Sequence, residues 1–538
     1  MAIMDMAMAE KINRPQLKLP LFAIIGLFLS ANALAGEWQF NPSLGLTETY
    51  TNNVELNRLN KQSSLVSQFI FGADANYSSR KLQFSFAGTE TLAAYSHDSG
   101  LNDDYQTLQA NTSYSLWQDK LQFIASSSIT NVSQNDSDNS LADLVSGDTI
   151  QERNHSAGFQ FNTANSDYSL FSSIIYNIVE TEDNIGESNG YTAIINSDNG
   201  NAARYVFWQI DGSFSNQENN GFTSENYQLE TKLGAITPYK LNPFVRVYNE
   251  RVTGTLAGSN PDSIPSWGPG FRYQAAKHLI IDVSYNYIRD DSQASDASRV
   301  SDDYIAADVD WQPSARTSLK AGYSKRFFGD SYELDFLHRT RRLTNSISYH
   351  ETIEVFDRNN FEQVNNNIWC PITASGIDDC LPLGETPNDT TGFISVPVSS
   401  LEPVENNEFS LNKRLAWTST LALARTTFTL DLSNRDRESL STGIIDNYLD
   451  GRFTITRRMS AKSDITVYLD YSKNIFDKER PDGPRQEDIY KTLSTTYNRS
   501  LASSLNAFIT LQYLDRESNI ERYTYTEARA SINLTKDF

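Results

Sequence analysis

The chain is poor in cysteine and histidine, poor in cations relative to anions, and has a single short apolar run. It has two cysteines, Cys370 and Cys380, among 538 residues. That is too few for a disulfide-scaffolded fold. Lysine and arginine number 45 against 67 aspartates and glutamates, a net charge of -22. Nucleic acid is therefore excluded as a partner class, because phosphate contacts need clustered cations. Beyond the first thirty-five residues no segment approaches the roughly 20 apolar residues of a membrane-spanning helix. Mean hydropathy is only -0.48. Yet aromatics make up 12 %, with 27 Tyr and 28 Phe. They recur in short polar–apolar alternations along almost the whole chain. Low hydropathy with that pattern excludes a helical membrane protein and admits a β-barrel, whose lipid-facing and lumen-facing residues alternate.

The opening segment reads as a secretory signal spanning residues 1–35. Lys11, Arg14 and Lys18 precede the apolar run Leu19 to Leu29, and Ala33-Leu34-Ala35 supplies a small-residue cleavage site. The mature chain then begins near Gly36. The alternative is a membrane anchor, for which the run is short. Asp5 and Glu10 suit the charged leader poorly and move its expected start to Met6 or Met8. No lipid-anchor cysteine follows.

From Gly36 onward the pattern has period two. Leu65, Ser67, Phe69, Phe71, Ala73, Ala75 and Tyr77 make one face of a strand, with Gln68, Asp74, Asn76 and Ser78 on the other. Leu279, Ile281, Val283, Tyr285 and Tyr287 alternate with Asp282, Ser284 and Asn286 in the same way, as do Ile465, Val467, Leu469 and Tyr471 with Thr466, Asp470 and Ser472. These are strands with one apolar face. Their connections alternate short and long. Ser79-Arg80, Gln118-Asp119 and Ser500 to Ser503 are short; His97 to Asp104, Gln134 to Asp148 and Asn474 to Glu487 are long and polar. Bacterial barrels have short periplasmic turns and longer extracellular loops. The expected fold is all-β: one large antiparallel transmembrane barrel over 36–538, with about 24 strands and both termini periplasmic. The first strand is expected near Trp38, with no room for a plug domain before it, and the last from about Arg522 to Phe538. A terminal Phe538 on an apolar-faced strand resembles the signal read by the outer-membrane assembly machinery, although Lys536 interrupts that face.

One insertion stands apart, the extracellular loop 356–406. It holds Pro371, Pro382, Pro387, Pro397 and Pro403, and the acids Asp378, Asp379, Glu385 and Asp389 against the single base Arg358. A loop of this length without secondary structure is functional or disordered. It reads as a constriction loop, a receptor surface or a solvated surface loop. Cys370 and Cys380 lie inside it, and an oxidising route makes a disulfide the expected state. His97, His155, His278, His338 and His350 form no metal motif and no Ser/His/Asp set. No catalytic, cofactor-binding or metal residue is legible, so the chain does not read as an enzyme. Asp103-Asp104 and Asp302-Asp303 read as solvated loop charges or cation contacts. The basic groups Arg339 to Arg342 and Arg457-Arg458 fall at periplasmic turns, where they meet lipid phosphates or dock a partner.

Two stretches carry a family resemblance. The first is Glu48-Thr49-Tyr50-Thr51-Asn52-Asn53-Val54-Glu55-Leu56 with Ser63-Ser64-Leu65-Val66. The second is Trp311-Gln312-Pro313-Ser314-Ala315-Arg316-Thr317, continuing through Gly322, Arg326, Phe328-Gly329, Tyr332 and His338-Arg339. They resemble the outer-membrane proteins associated with PEP-CTERM/exosortase systems, whose loci also encode exopolysaccharide synthesis and export. The matching residues are strand starts and turns, so the resemblance implies kinship and transfers no site. It implies an outer-membrane conduit or porin-like component for an exopolysaccharide or envelope polymer, working with periplasmic export partners among lipid and lipopolysaccharide. The alternative is a barrel that anchors surface polymer or sorted proteins without transport. A wide plugless barrel would leak, so either role requires something to close it.

Overall fold

The computed structural model describes residues 36–147, 149–255, 262–276, 278–289, 302–356, 358, 361–374, 380–381, 386–387, 390–405, 408–477 and 485–538. The signal segment 1–35 and the acids Asp378, Asp379, Glu385 and Asp389 lie outside those residues.

Extended, alternating sequence with aromatics and β-branched residues favours strands. The described chain forms one 25-stranded antiparallel sheet and a separate two-stranded one. One member of the large sheet is the two-residue segment Asp262–Ser263. The other twenty-four form a meander in which each strand pairs with its sequence neighbours. The ring closes where the first strand, Glu37–Thr51, pairs with the last, Tyr525–Asp537, from Ser43↔Asp537 to Thr51↔Arg529. Phe538 donates its backbone N–H to the Pro42 carbonyl just beyond that seam. Closure leaves no unpaired edge in a solvent that cannot hydrogen-bond, which is what a membrane demands.

The exterior is apolar. Phe69, Leu233, Val247, Leu469 and Ile532 project outward and are largely exposed, each flanked in sequence by residues of the other face. Two aromatic girdles bracket them. Trp38, Trp117, Tyr168, Tyr239 and Trp311 lie at one rim, and Tyr50, Tyr191, Trp267, Tyr287 and Tyr332 toward the other. Trp311 precedes Pro313 at a register shift between Trp311 and Ser314, where a residue without an N–H costs no ladder bond.

The two rims differ. One carries only connections of a few residues and is called here the turn rim. At Gln118-Asp119 both central residues adopt positive φ, 46° and 60°, as a two-residue hairpin requires. The opposite loop rim carries the long connections, as expected, with two departures. The strands Val206–Asn219 and Phe222–Ala235 are joined there by Asn220-Gly221 alone, and Thr317–Arg326 and Gly329–Arg339 by Phe327-Phe328 alone. Asn220 and Gly221 have φ of 46° and 83°. Asn-Gly is the strongest short-hairpin signal, and it overrides the short–long alternation locally.

The insertion also departs from expectation. It is not structureless: Phe361–Pro371 and Phe393–Pro403 pair antiparallel from Phe361↔Pro403 to Pro371↔Phe393. The sulfurs of Cys370 and Cys380 are 1.99 Å apart at the hairpin's far end. Ile394, Val396 and Val398 carry a short apolar alternation, obscured in the sequence by five prolines, of which Pro371, Pro397 and Pro403 lie in the ribbon, where an isolated two-stranded ribbon tolerates them at its free edges.

Candidate functional site

The lumen is the only place where so large a ring can meet a solute, and its inner face is not uniform. Between Phe222 and Arg326 several inward side chains are charged, and a group of them is buried. On Phe222–Ala235 they include Glu230 and Lys232, and on Leu241–Thr253 they include Arg246, Tyr248 and Glu250. Strands further round contribute Arg272, Asp282, Tyr304, Asp308 and Arg326. In a water-filled channel such residues would be wet, yet Lys232, Arg246, Glu250 and Asp282 are each no more than 4 % exposed. They are buried because opposite stretches of wall touch. Arg246 donates to both carboxylate oxygens of Glu230, at 2.9 and 3.1 Å, and to the Tyr304 hydroxyl and Ser324 Oγ. Lys232 donates to Asp308 at 2.7 Å, Arg272 to Asp282 at 2.7 Å, and Arg326 to Glu250 at 2.6 Å. Four cations and four carboxylates therefore balance one another, Arg246 with Glu230 and Arg272 with Asp282 between adjacent strands, and Lys232 with Asp308 and Arg326 with Glu250 between strands four apart in the ring. Desolvating ions on this scale is tolerable only with such pairing and hydrogen bonding. This stretch of the ring folds on itself and encloses no channel.

The loop rim is filled as well. Above the ion network Tyr248, Val252, Ile264, Tyr304, Phe327 and Phe409 form an apolar cluster. On the far side the connection 134–148 turns inward. Arg529 pairs with Asp143, and Ser146 donates to Glu527 at 2.7 Å. Arg516 pairs with Asp488 at 3.0 Å and donates to the carbonyls of Ser137 and Asp138. Burial, joined at Asp138 by the nearby Glu402 carboxylate, lifts the carboxyls of Asp136 and Asp138 in this connection above their ordinary range, against the pull of nearby arginines. The insertion lies over the same mouth. Leu401 accepts from Asn135 and Ser137, Glu405 accepts from Asn219 and Asn220, and Phe361 stacks edge-on to Phe476 at 5.2 Å. Arg358 makes a two-pronged pair with Asp183, at 2.6 and 2.7 Å, and donates to the carbonyls of Gln134 and Ile185. Partial burial works against ionisation of Asp183, but Arg358 outweighs it and holds that carboxyl below its ordinary value. The chain that leaves the strand Leu343–Glu354 thus crosses the mouth to connections on the opposite side of the ring.

The strands of a third stretch, from Asp103 to Asn199, lie below these connections. Ser126, Ser128, Asn154, His155, Ser156, Asn177 and Thr192, with Gln217 of the strand beyond, line a recess that has no Asp, Glu, Lys or Arg in its lining. Thr107 and Thr89 share a hydrogen bond across one ladder, and Ser126 and Ser156 across another. Hydroxyl and amide groups here are partly wet and face the open part of the lumen.

The residues singled out in the sequence fall as follows. Cys370 and Cys380 close the tip of the mouth-crossing hairpin. Phe538 ends the closing strand, outside the lumen and largely exposed. Arg339 and Arg458 donate backbone N–H groups across turns of the turn rim. Asp303 accepts from the Ile288 N–H and belongs to a loop. The ion network and the latch residues Arg516, Glu527 and Arg529 were not singled out. Their signal was present as charges of both signs at alternate strand positions, which looks identical to a wet lumen wall until the ring's shape is known.

No family model matches the chain, and no curated protein does. Among solved structures the chain is similar to a mutant of the ferric enterobactin receptor PfeA from Pseudomonas aeruginosa, at 10 % identity and a TM-score of 0.42, over 93 % of this chain and 80 % of that one. It is similar to the FrpB iron transporter from Neisseria meningitidis at 8 % identity and 0.44, over 93 % and 81 %. The copper transporter OprC matches at 8 % and 0.40, over 94 % and 81 %.

Proposed function

We propose that this outer-membrane barrel is a gated conduit for a neutral hydrophilic polymer, an exopolysaccharide of the envelope being the candidate. The observation that carries the reading is the recess of serine, threonine, asparagine and glutamine, with no Asp, Glu, Lys or Arg in its lining, below a mouth crossed by the chain's own insertion. Hydroxyl and amide groups exchange hydrogen bonds with a sugar as readily as with water and set no electrostatic trap. A wall of fixed charge would retain or reject ions instead. The loop rim faces the exterior in this reading, and the turn rim, with Arg339, Arg341, Arg342, Arg457 and Arg458, faces the periplasm, its lipid phosphates and an export partner. Kinship with PEP-CTERM-linked outer-membrane proteins would place the conduit in a polymer-export locus.

Planar-bilayer recording tests this. The intact barrel is expected to be closed. Replacing residues 357–406 by a short Gly-Ser linker is expected to open steps of conductance that neutral dextran reduces in a size-dependent way. A barrel that stays closed after the replacement, and also after the latch of Arg516 and Arg529 is removed, overturns the reading. The filled mouth would then favour a surface anchor. Deletion of the gene separates the two in cells: a conduit's loss abolishes secreted polymer, an anchor's loss releases it.

A further inference from the structure

The buried ion network joins cations to carboxylates, but one group of ligating side chains brings two carboxylates and an imidazole together in reach of water. Glu333 and Asp335 lie on Gly329–Arg339 and His350 on the next barrel strand, Leu343–Glu354. Register puts Leu334 opposite Tyr349 and Asp335 opposite Ser348, so Glu333 faces His350 directly and Asp335 lies one step along the same face. That face is the lumen, because Tyr332 of the alternate set is half exposed on the barrel exterior. One donor atom from each of the three falls within 4.8 Å of the others. His350 Nε2 is 3.1 Å from Asp335 Oδ1, and both side chains are 46 % exposed.

The surroundings fit a ligand site better than a staple. Gly322 on the neighbouring strand carries no side chain, and a Cβ there would lie 3.2 Å from Asp308 Oδ1 and 3.7 Å from Glu333 Cβ. The glycine leaves space between the two carboxylates. Lys320 stands opposite Asp335, and Arg414 opposite His350. These two cations limit repulsion between the carboxylates, yet neither makes an ion pair here like those of the buried network. An imidazole and two carboxylates on one face, with open positions for water, suit a first-row divalent transition ion such as Zn2+, Ni2+ or Cu2+. Donors on one metal at about 2.1 Å lie about 3 Å apart. Closing from 4.8 Å takes only rotations of half-exposed side chains held on a rigid ladder.

We propose that Glu333, Asp335 and His350 form a divalent transition-metal site in the lumen wall, midway along the barrel and below the closed mouth. The site does not depend on the polymer reading, since it rests on other strands and other chemistry. Its test uses the whole barrel refolded in detergent without lipopolysaccharide, titrated with Zn2+ by calorimetry and with Co2+ by visible absorption, both in excess Mg2+ to mask loop carboxylates. One equivalent of Zn2+ and a cobalt band that Zn2+ displaces are expected. H350A and E333Q should each weaken binding at least about tenfold, whereas H278A, at a turn, should bind as the parent does. Retained heat-dependent gel migration shows each variant folded. Absence of saturable binding in the parent overturns the proposal, and so does binding that survives H350A and E333Q together.

Discussion

Two stretches of one wall, Asp103–Asn199 and Val206–Arg339, are built to the same alternating pattern and end as opposites. In the first, serine, threonine, asparagine and glutamine line a recess with no Asp, Glu, Lys or Arg in its lining. In the second, a group of acids and bases is spaced so that strands four apart in the ring meet, and its centre at Lys232, Arg246, Glu250 and Asp282 is dry. Both sets are polar and both look like channel lining in the sequence. The difference lies in whether a side chain can find its counter-charge across the lumen. A hydroxyl gains little by leaving water for another hydroxyl. A guanidinium that reaches a carboxylate and a tyrosine on the facing wall can replace its hydration. Opposite charges thus draw one part of the ring shut, while neutral groups leave the other part open.

The contrast breaks most visibly at Glu250. It is fully buried, accepts from Arg326 at 2.6 Å and from the Tyr248 hydroxyl at 2.8 Å. Glu250→Ala leaves a guanidinium with no counter-charge in a dry site, at a cost of about 3–5 kcal/mol. Urea unfolding of the barrel in lipid vesicles measures it. Asn154→Ala on the neutral wall should cost within about 0.5 kcal/mol. Equal costs at the two positions would erase the distinction between the walls.

The next effect belongs to the mouth. Arg516 is 1 % exposed, and its partner Asp488 is fully buried. Arg516→Met keeps much of the volume but removes the donors to Asp488 and to the Ser137 and Asp138 carbonyls. Leaving those acceptors unsatisfied costs about 2–3 kcal/mol. Brief openings should appear in single-channel records where the parent shows none. A silent R516M barrel would mean that Arg529, Ser146 and the Leu401 carbonyl hold the connection without Arg516.

Acid should loosen the same mouth from its other side. Arg358 holds Asp183 below the ordinary carboxylate range. A carboxyl whose folded value is depressed stabilises the closed form above its unfolded value, about 3.9. That contribution disappears as pH falls through the folded value. Opening frequency should therefore stay flat from neutral pH to about 4 and rise below it. In D183N the rise should be absent, with more openings at neutral pH. A rise that begins near pH 6 would point to a histidine instead.

The sequence showed the ring clearly and its interior poorly, for one physical reason. Period-two alternation is a local property, and Phe69, Leu469 and Ile532 point to lipid whatever the barrel's cross-section. The apolar belt, the turns and the even strand number were all readable on that basis. Burial of Arg246 or Glu527 is not local, since each depends on a partner 58 or 476 residues away. The hairpin in the insertion escaped notice because its prolines outweigh a short alternation. His350 beside Glu333 and Asp335 is a matter of strand register, which no spacing motif records.

The smallest stability change should carry the clearest functional sign. Ser128 lines the neutral recess without a charged partner in the lining, whereas Arg272 is held by Asp282. Ser128→Asp adds a charge where hydration persists, so its cost to folding should stay within about 0.5 kcal/mol. In the barrel opened by replacement of residues 357–406, that carboxylate should shift the reversal potential toward cation selectivity, and added salt should suppress the shift as the Debye length shortens. Arg272→Gln, behind Asp282, should leave selectivity unchanged while destabilising the fold. If the two variants exchange these behaviours, the open path runs along the charged wall, and the assignment of the two stretches must be reversed.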